Sequence, residues 1–312
     1  QAGNQATVAG DSDVSFANNV YDINVLTVTT AFDVTFSEHL GYDETDAVDA
    51  ITNVDITADN DVAFGDAVGD DVEVTQQLRV RSADDVRAFG NVVAGNILQD
   101  TGTGITTFDG TVMTGNASGI DVSNERIVVN DDVTADAGGD VILRIDLDDS
   151  DQDQAGVVDG DTLIVADGAS FTLNGGGSFS QTGGDDSPED STSTYTVVEF
   201  GGNITTSGGG ISFADDVELQ GNTENAGNPD AQIDGTTNMF GTGAGSGDIL
   251  FSTIVYGAAQ DGQVLYARAG NGNLTVAGRF DDDNPANTEF ALGTADLGAG
   301  VDTVANRRLA DL

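Results

Sequence analysis

Residues 59–71 read DNDVAFGDAVGDD, a short apolar wedge, Val62-Ala63-Phe64, set between two banks of aspartate. The shape recurs. GDSDVSF ends at Phe16, TAFDVTF at Phe36, ADNDVAF at Phe64, ADDVRAF at Phe89 and GTGITTF at Phe108, with later echoes in GGGISF at Phe213 and GSGDILF at Phe251. The first five phenylalanines are 20, 28, 25 and 19 residues apart. That interval is far too short for an immunoglobulin-like module of about 100 residues, but it suits one coil of a β-solenoid, in which each coil contributes about three short strands. The wedge is then the inward-facing strand of each coil. Stacking at about 4.8 Å lets each coil bury an apolar surface that it cannot bury alone.

The rest of the chain agrees with short strands. Forty-two glycines, with abundant Asp, Asn, Thr and Val, oppose helix over any long window. Alternating runs such as Val25-Leu26-Thr27-Val28-Thr29, Val54-Asp55-Ile56-Thr57 and Val72-Glu73-Val74-Thr75 suit strands, and turn residues follow each within a few positions. The pattern predicts an all-β protein: one right-handed parallel β-helix over residues 1–312, with Phe16, Phe36, Phe64, Phe89 and Phe108 as a stacked core. Acidic or Ser/Gly-rich stretches at 144–162 and 182–193 interrupt the spacing and read as protruding loops.

Charge narrows the partners. The chain carries 54 Asp and Glu against 9 basic residues, all arginine, for a formal net charge of −45. Such a surface lacks the basic footprint that phosphate binding needs, which argues against nucleic acid and anionic membranes. Acidity of this degree often means disorder, but 38% of the residues are apolar and 14 are phenylalanine, enough to build a core. The absence of cysteine excludes disulfides and thiolate chemistry. No apolar run approaches the roughly 18 residues of a membrane helix. A lysine-free, aspartate-rich surface fits salt water or a calcium-rich exterior.

GDILFSTIVYGAAQDGQVLYARAGNGNLTVAGRF at 247–280 and NILQDTGTGITTFDGTVMTG at 96–115 carry a cadence of Gly-Asp turns, short apolar strands and Gly-Asn turns. This cadence resembles the repeat of giant bacterial β-strand-repeat surface proteins, related in style to filamentous haemagglutinins and autotransporter passengers. The resemblance implies a β-helical shaft at the cell surface or outside the cell.

Candidate chemistry is sparse. Acidic pairs such as Asp70-Asp71, Asp84-Asp85, Asp131-Asp132 and Asp215-Asp216 are too numerous to single out a catalytic dyad. The one histidine, His39, reads as a surface or turn residue. Arg79, Arg81 and Arg87 form the main basic cluster, expected to pair with Asp84 and Asp85 or with a neighbouring subunit rather than to grip an acidic sugar. No nucleophile-elbow, zinc-protease, phosphate-loop or dinucleotide motif is present, and the Gly-rich 241–248 reads as a turn. Alternate aspartates at Asp149, Asp151 and Asp153 offer hard oxygen ligands at a spacing that lets one loop wrap a calcium ion, although the glycine and terminal glutamate of a helix-loop-helix site are missing. A solvated acidic loop is the alternative. Calcium or salt would also relieve crowding, since two carboxylates about 5 Å apart repel by roughly 0.8 kcal/mol even in bulk water.

Three functions follow from this reading. The first is an extracellular, non-enzymatic structural protein that associates with itself head to tail as a filament, stalk, sheath or adhesin shaft. Arg307, Arg308, Leu309 and Leu312 are its expected contact residues. The others are a polysaccharide-binding adhesive module and a β-helix carbohydrate-active enzyme. A row of exposed aromatics would mark the binder, and a localised cleft of arginine and carboxylates would mark the enzyme.

Overall fold

A computed structural model of the chain describes residues 4–30, 32–41, 51–66, 70–145, 162–183, 197–220, 237–243, 245, 247–253, 255–257, 264–277 and 294–296. Within them the protein is all-β, with 28 strands of three to eleven residues and no helix. Every strand pairing is parallel.

The wedge strands build a 10-stranded sheet. Val14–Phe16 pairs with Val34–Phe36, then Val62–Phe64, Val86–Ala88, Ile105–Phe108, Arg126–Val129, Thr162–Val165, Val197–Phe200, Asp216–Leu219 and Val255–Gly257. The remaining strands form an 18-stranded sheet with two ladders. One carries Val92, Val112, Val133, Phe171, Ile204, Phe240 and Ala267 in register, and is prefigured by isolated bridges linking Val20, Leu40 and Val72. The other runs from Gln5–Gly10 through Val25–Thr30 and Ile51–Thr57, and later through Ile120–Asn124, Val141–Ile145, Phe179–Gly183, Ile211–Phe213, Ile249–Phe251 and Leu274–Val276. Val72–Ser82 and Val92–Gln99 are long enough to belong to both, which joins the two ladders into one sheet.

Alternation decides what is buried. In Val34-Thr35-Phe36 and Val62-Ala63-Phe64 the outer two side chains are buried and the middle one is partly exposed, the period-2 signature of an extended chain with one covered face. Inward residues from all the ladders merge into a single apolar cluster in which Phe36, Phe64, Phe171, Phe179, Phe200, Phe213, Phe240 and Phe251 are among the largest fully buried side chains. Each such ring contributes about 1.5–3 kcal/mol on burial.

The phenylalanine stack is shorter than the sequence spacing predicts. Phe16 and Phe36 lie face to face at 4.7 Å and Phe36 and Phe64 at 5.5 Å. Register then pairs Phe64 with Ala88 and Ala88 with Phe108. Phe89 is therefore not in the column: it is one residue past the inward position, only partly buried, with the Arg87 guanidinium carbon 4.2 Å from its ring centroid. Phe213 and Phe251, aligned with the wedge by sequence, stack on each other at 5.5 Å in the 18-stranded sheet instead. The strands also reach into the expected loops, since Arg144 and Ile145 close one strand and Thr182 and Gly183 another. The remainder of 144–162 and 182–193, apart from Thr162, lies outside the described residues.

Glycine has a specific place at one bend. A Cβ on Gly177 would sit 2.1 Å from the Gly139 carbonyl oxygen, on Gly209 2.0 Å from that of Gly177, on Gly247 2.0 Å from that of Gly209, and on Gly272 2.1 Å from that of Gly247. No side chain fits at that distance, so this column of backbones stacks only as glycine.

Candidate functional site

The residues just before the strands make the most regular polar feature of the molecule. Ahead of the wedge, Asp33 Oδ1 accepts the N–H of Asp61 at 3.3 Å, Asp61 Oδ1 that of Asp85 at 3.4 Å, and Asp85 Oδ1 that of Ile105 at 2.7 Å. At a second bend Asp71 Oδ1 accepts from Asn91 N–H at 2.9 Å, Asn91 Oδ1 from Thr111 at 3.0 Å, Asp132 Oδ1 from Ser170 at 2.9 Å and Asn203 Oδ1 from Met239 at 2.9 Å. A third bend repeats the device, with Asp140 Oδ1 accepting from Ser178 at 2.8 Å, Ser178 Oγ from Gly210 at 3.1 Å and Asp248 Oδ1 from Asn273 at 2.7 Å. Asp33, Asp61 and Asp85, each just ahead of a wedge strand, thus satisfy a backbone donor of the next segment in the stack. Hydrogen bonds to an ionised acceptor stabilise by about 1.5–3 kcal/mol. The sequence signal is a side chain with an oxygen immediately before a Val-x-Phe or Val-x-Ala strand, which the wedge alignment contains without disclosing its purpose.

His39 is a member of the same series. Its Nδ1 accepts the Asp71 N–H at 2.9 Å, as the Asp71 carboxylate does for Asn91, so the ring proton resides on Nε2. This is a structural role at a bend.

Stacked carboxylates have an electrostatic cost. Burial pushes the Asp61 carboxyl above the ordinary aspartate range, the Asp85 N–H pulls it down, and the charges of Asp85, Asp33 and Asp84 push it up again. The net direction is upward.

The arginines are engaged by aspartates other than those the sequence pointed to. Arg79 binds Asp100 through Nε at 3.1 Å and Nη2 at 2.5 Å, and Arg81 forks onto Asp55 at 2.7 and 2.6 Å. Arg87 Nε meets Asp109 at 2.7 Å, and Arg144 forks onto Asp121 at 2.9 and 2.8 Å. Asp84 and Asp85, the expected partners, instead hold Thr103 Oγ1 and the Ile105 N–H. Neighbours in sequence point along one strand, whereas these pairs bridge different strands of the stack, a relation set by register. Each pair cancels one negative charge on the outer face, and the hydrogen bonds to Asp55 and Asp121 raise the Arg81 and Arg144 guanidinium pKa values further.

Among the described residues, two polar clusters with several side-chain bonds sit inside the apolar core. Thr106, in register with the inward valines, donates to Gln99 Oε1 at 2.7 Å and accepts from Asn124 Nδ2 at 3.0 Å. Asn124 Oδ1 accepts the N–H groups of Gly104 and Glu125, both at 2.9 Å. Further along, the Gln181 amide donates to the buried Asp215 carboxylate and accepts the N–H groups of Ala214 at 3.1 Å and Asp215 at 3.2 Å. Both clusters tie strand ends to the adjacent bend.

The first segments, like Val255–Gly257 and Leu274–Val276 at the other end, are paired on one side only among the described residues. Gln5–Gly10 pairs only with Val25–Thr30 and Val14–Phe16 only with Val34–Phe36 among the described residues. Ala6, Val8, Val14 and Phe16 are correspondingly only partly buried against the core. Val14 donates its N–H to Asp33 O at 2.8 Å, so the N–H of Ser15 faces the opposite edge, which has no strand partner among the described residues.

Among the described residues no three His, Cys, Asp or Glu side chains are grouped to hold a metal ion, and no helix is long and apolar enough to cross a membrane. Asp149, Asp151 and Asp153, the proposed calcium ligands, and Arg307, Arg308, Leu309 and Leu312, the proposed contact residues, lie outside the described residues. Comparison with known proteins returns no matching family model, no matching curated protein and no matching solved structure.

Proposed function

We propose that the chain is a non-catalytic structural segment of an extracellular or cell-surface fibre, a right-handed parallel β-helix that lengthens by stacking end to end on further copies of itself. The observation that supports this best is the continuity of three parallel ladders, in register through most of the described strands, whose outermost strands pair on one edge only among the described residues. Crossovers between parallel strands of one sheet are nearly always right-handed, which supports a right-handed coil. An edge strand with free N–H and C=O groups over a partly open apolar layer is a template for another strand. A heterologous contact of this kind does not close, so it propagates as a filament. Arg307 and Arg308 supply positive charge to meet the carboxylates of the next copy, and calcium at Asp149, Asp151 and Asp153 or high salt offsets repulsion between acidic shafts.

Ser15→Pro tests the edge without touching internal bonds, because the N–H it removes faces outward. Negative-stain microscopy of the wild type at high concentration with salt and calcium should show filaments. The proline variant, and separately Arg307→Asp with Arg308→Asp, should show short species with an unchanged β circular-dichroism spectrum. A wild type that stays monomeric, or filaments that survive both changes, would overturn the proposal.

A further inference from the structure

The sequence contains three Asn-X-Ser/Thr triplets: Asn116-Ala117-Ser118, Asn203-Ile204-Thr205 and Asn273-Leu274-Thr275. This triplet is the acceptor pattern for N-linked glycosylation, which requires a surface turn that can enter a transferase. The structure separates the three. Asn203 and Asn273 are spacers in the bend ladders: Asn203 Oδ1 accepts the Met239 N–H, and Asn273 Nδ2 donates to Asp248 Oδ1 at 3.2 Å. Their hydroxyl residues, Thr205 and Thr275, lie within strands, paired with Thr172 and Leu250 respectively. An acceptor there is held extended by its neighbours.

Asn116 is placed differently. Asn116, Ala117 and Ser118 are all exposed and form a turn closed by the Gly119 N–H on the Asn116 carbonyl at 3.1 Å. Gly119 has φ +60 and its Cβ would lie 2.0 Å from the Asp140 carbonyl oxygen, so glycine fixes the exit of the turn. On one side the strand Val92–Gln99 runs straight past, with no bend of its own at this level and with Gly95, where a Cβ would come 2.4 Å from Asn116 Nδ2, leaving room for the asparagine side chain; on the other the adjoining residues are Ala137, Gly138 and Gly139. A Cβ at the neighbouring Gly115 would meet nothing within 4 Å. The side chains of Asn116 and Ser118 make no hydrogen bond among the described residues, in contrast to the other two asparagines.

We infer that Asn116 is an N-glycosylation acceptor, with Ser118 as its hydroxyl partner. The Asn116 side-chain nitrogen attacks the anomeric carbon of a lipid-pyrophosphate-linked oligosaccharide. A C–N bond forms as the C–O bond to pyrophosphate breaks, the lipid pyrophosphate leaves with the electron pair, and the amide nitrogen loses one proton to a base of the transferase. A hydrophilic glycan here projects from the side of the stack and away from its ends, so it is compatible with end-to-end growth. The inference rests on the extracellular reading for its compartment only.

Arginine-specific digestion releases residues 88–126 as one peptide, since Arg87 and Arg126 are successive arginines. Mass spectrometry of the protein purified from the cells that naturally make it should find this peptide heavier by a hexose-containing glycan. The increment should vanish in Asn116→Gln and Ser118→Ala and persist in Ser118→Thr and in Asn203→Gln. Stoichiometrically unmodified peptide, or a glycan on Asn203 or Asn273 instead, would overturn the inference. Microscopy of the same material keeps the two proposals apart, because filaments carrying unmodified Asn116 refute this one and leave the fibre standing.

Discussion

Alanine at Phe64 and at Phe89, made separately, should have very different costs, although the two residues end near-identical sequence motifs. Phe64 is 2% exposed and stacks at 5.5 Å on Phe36. The inward position on its other side belongs to Ala88, which is too small to fill a vacated space. Strands pinned by ladder bonds on both edges cannot collapse into the hole, so the loss should fall in the range of about 3–5 kcal/mol found for buried Phe→Ala changes. Phe89 forfeits a contact with Arg87 worth about 0.5–1 kcal/mol at an exposed site, with some apolar cover, for a total near 1 kcal/mol. Urea unfolding followed by far-ultraviolet circular dichroism measures both. Stacked arrays need not unfold in one step, so amide exchange across Val62–Phe64 and Val86–Ala88 supplies the same comparison locally. Equal losses, or a larger loss at Phe89, would refute the placement of Ala88 in the column.

Asn124→Ala removes the buried partner of the Gly104 and Glu125 N–H groups and should destabilise by about 3 kcal/mol in the same unfolding assay, given about 1–3 kcal/mol per buried unsatisfied group. Asp61→Asn keeps an oxygen for the Asp85 N–H and removes a charge whose folded-state pKa is raised. A raised carboxyl favours the fold while protonated and opposes it once pH passes the folded value. The variant should therefore melt about 2 °C higher at pH 7 in low salt, with the advantage gone below about pH 4, and no gain at pH 7 would contradict the repulsion. Chelation at low ionic strength should lower the melting temperature of the wild type, by an amount equivalent to about 2.7 kcal/mol if calcium had been at a hundredfold excess over Kd. Asp149→Asn, Asp151→Asn and Asp153→Asn together should abolish that response, and a wild type indifferent to chelator leaves these aspartates as a solvated loop.

The all-β, parallel character was legible because the wedge repeats an alternation that only an extended chain can use, at intervals too short for an independent module. Phe16, Phe36 and Phe64 followed directly. Phe89 did not, because sequence marks which residues are apolar while the length of each bend determines which of them turns inward, and one residue of slip exchanges the two faces. The same limit hid the arginine partners: Arg81 and Asp55 are distant in sequence and adjacent only through strand register. The ladder aspartates Asp33, Asp61 and Asp85 stood in the aligned motifs, but an acidic residue before a strand reads equally well as solvated surface until the N–H of the next segment is seen to point at it. Asn116 was distinguishable from Asn203 and Asn273 only once the latter two were found to be bonded within the stack.

X-ray diffraction from aligned native filaments tests end-to-end stacking of a parallel β-helix most directly. Strands lying across the long axis of the fibre, continuous from copy to copy, should give a sharp meridional reflection at about 4.8 Å. Discrete particles that do not align, or a strand spacing that appears on the equator instead, would contradict it.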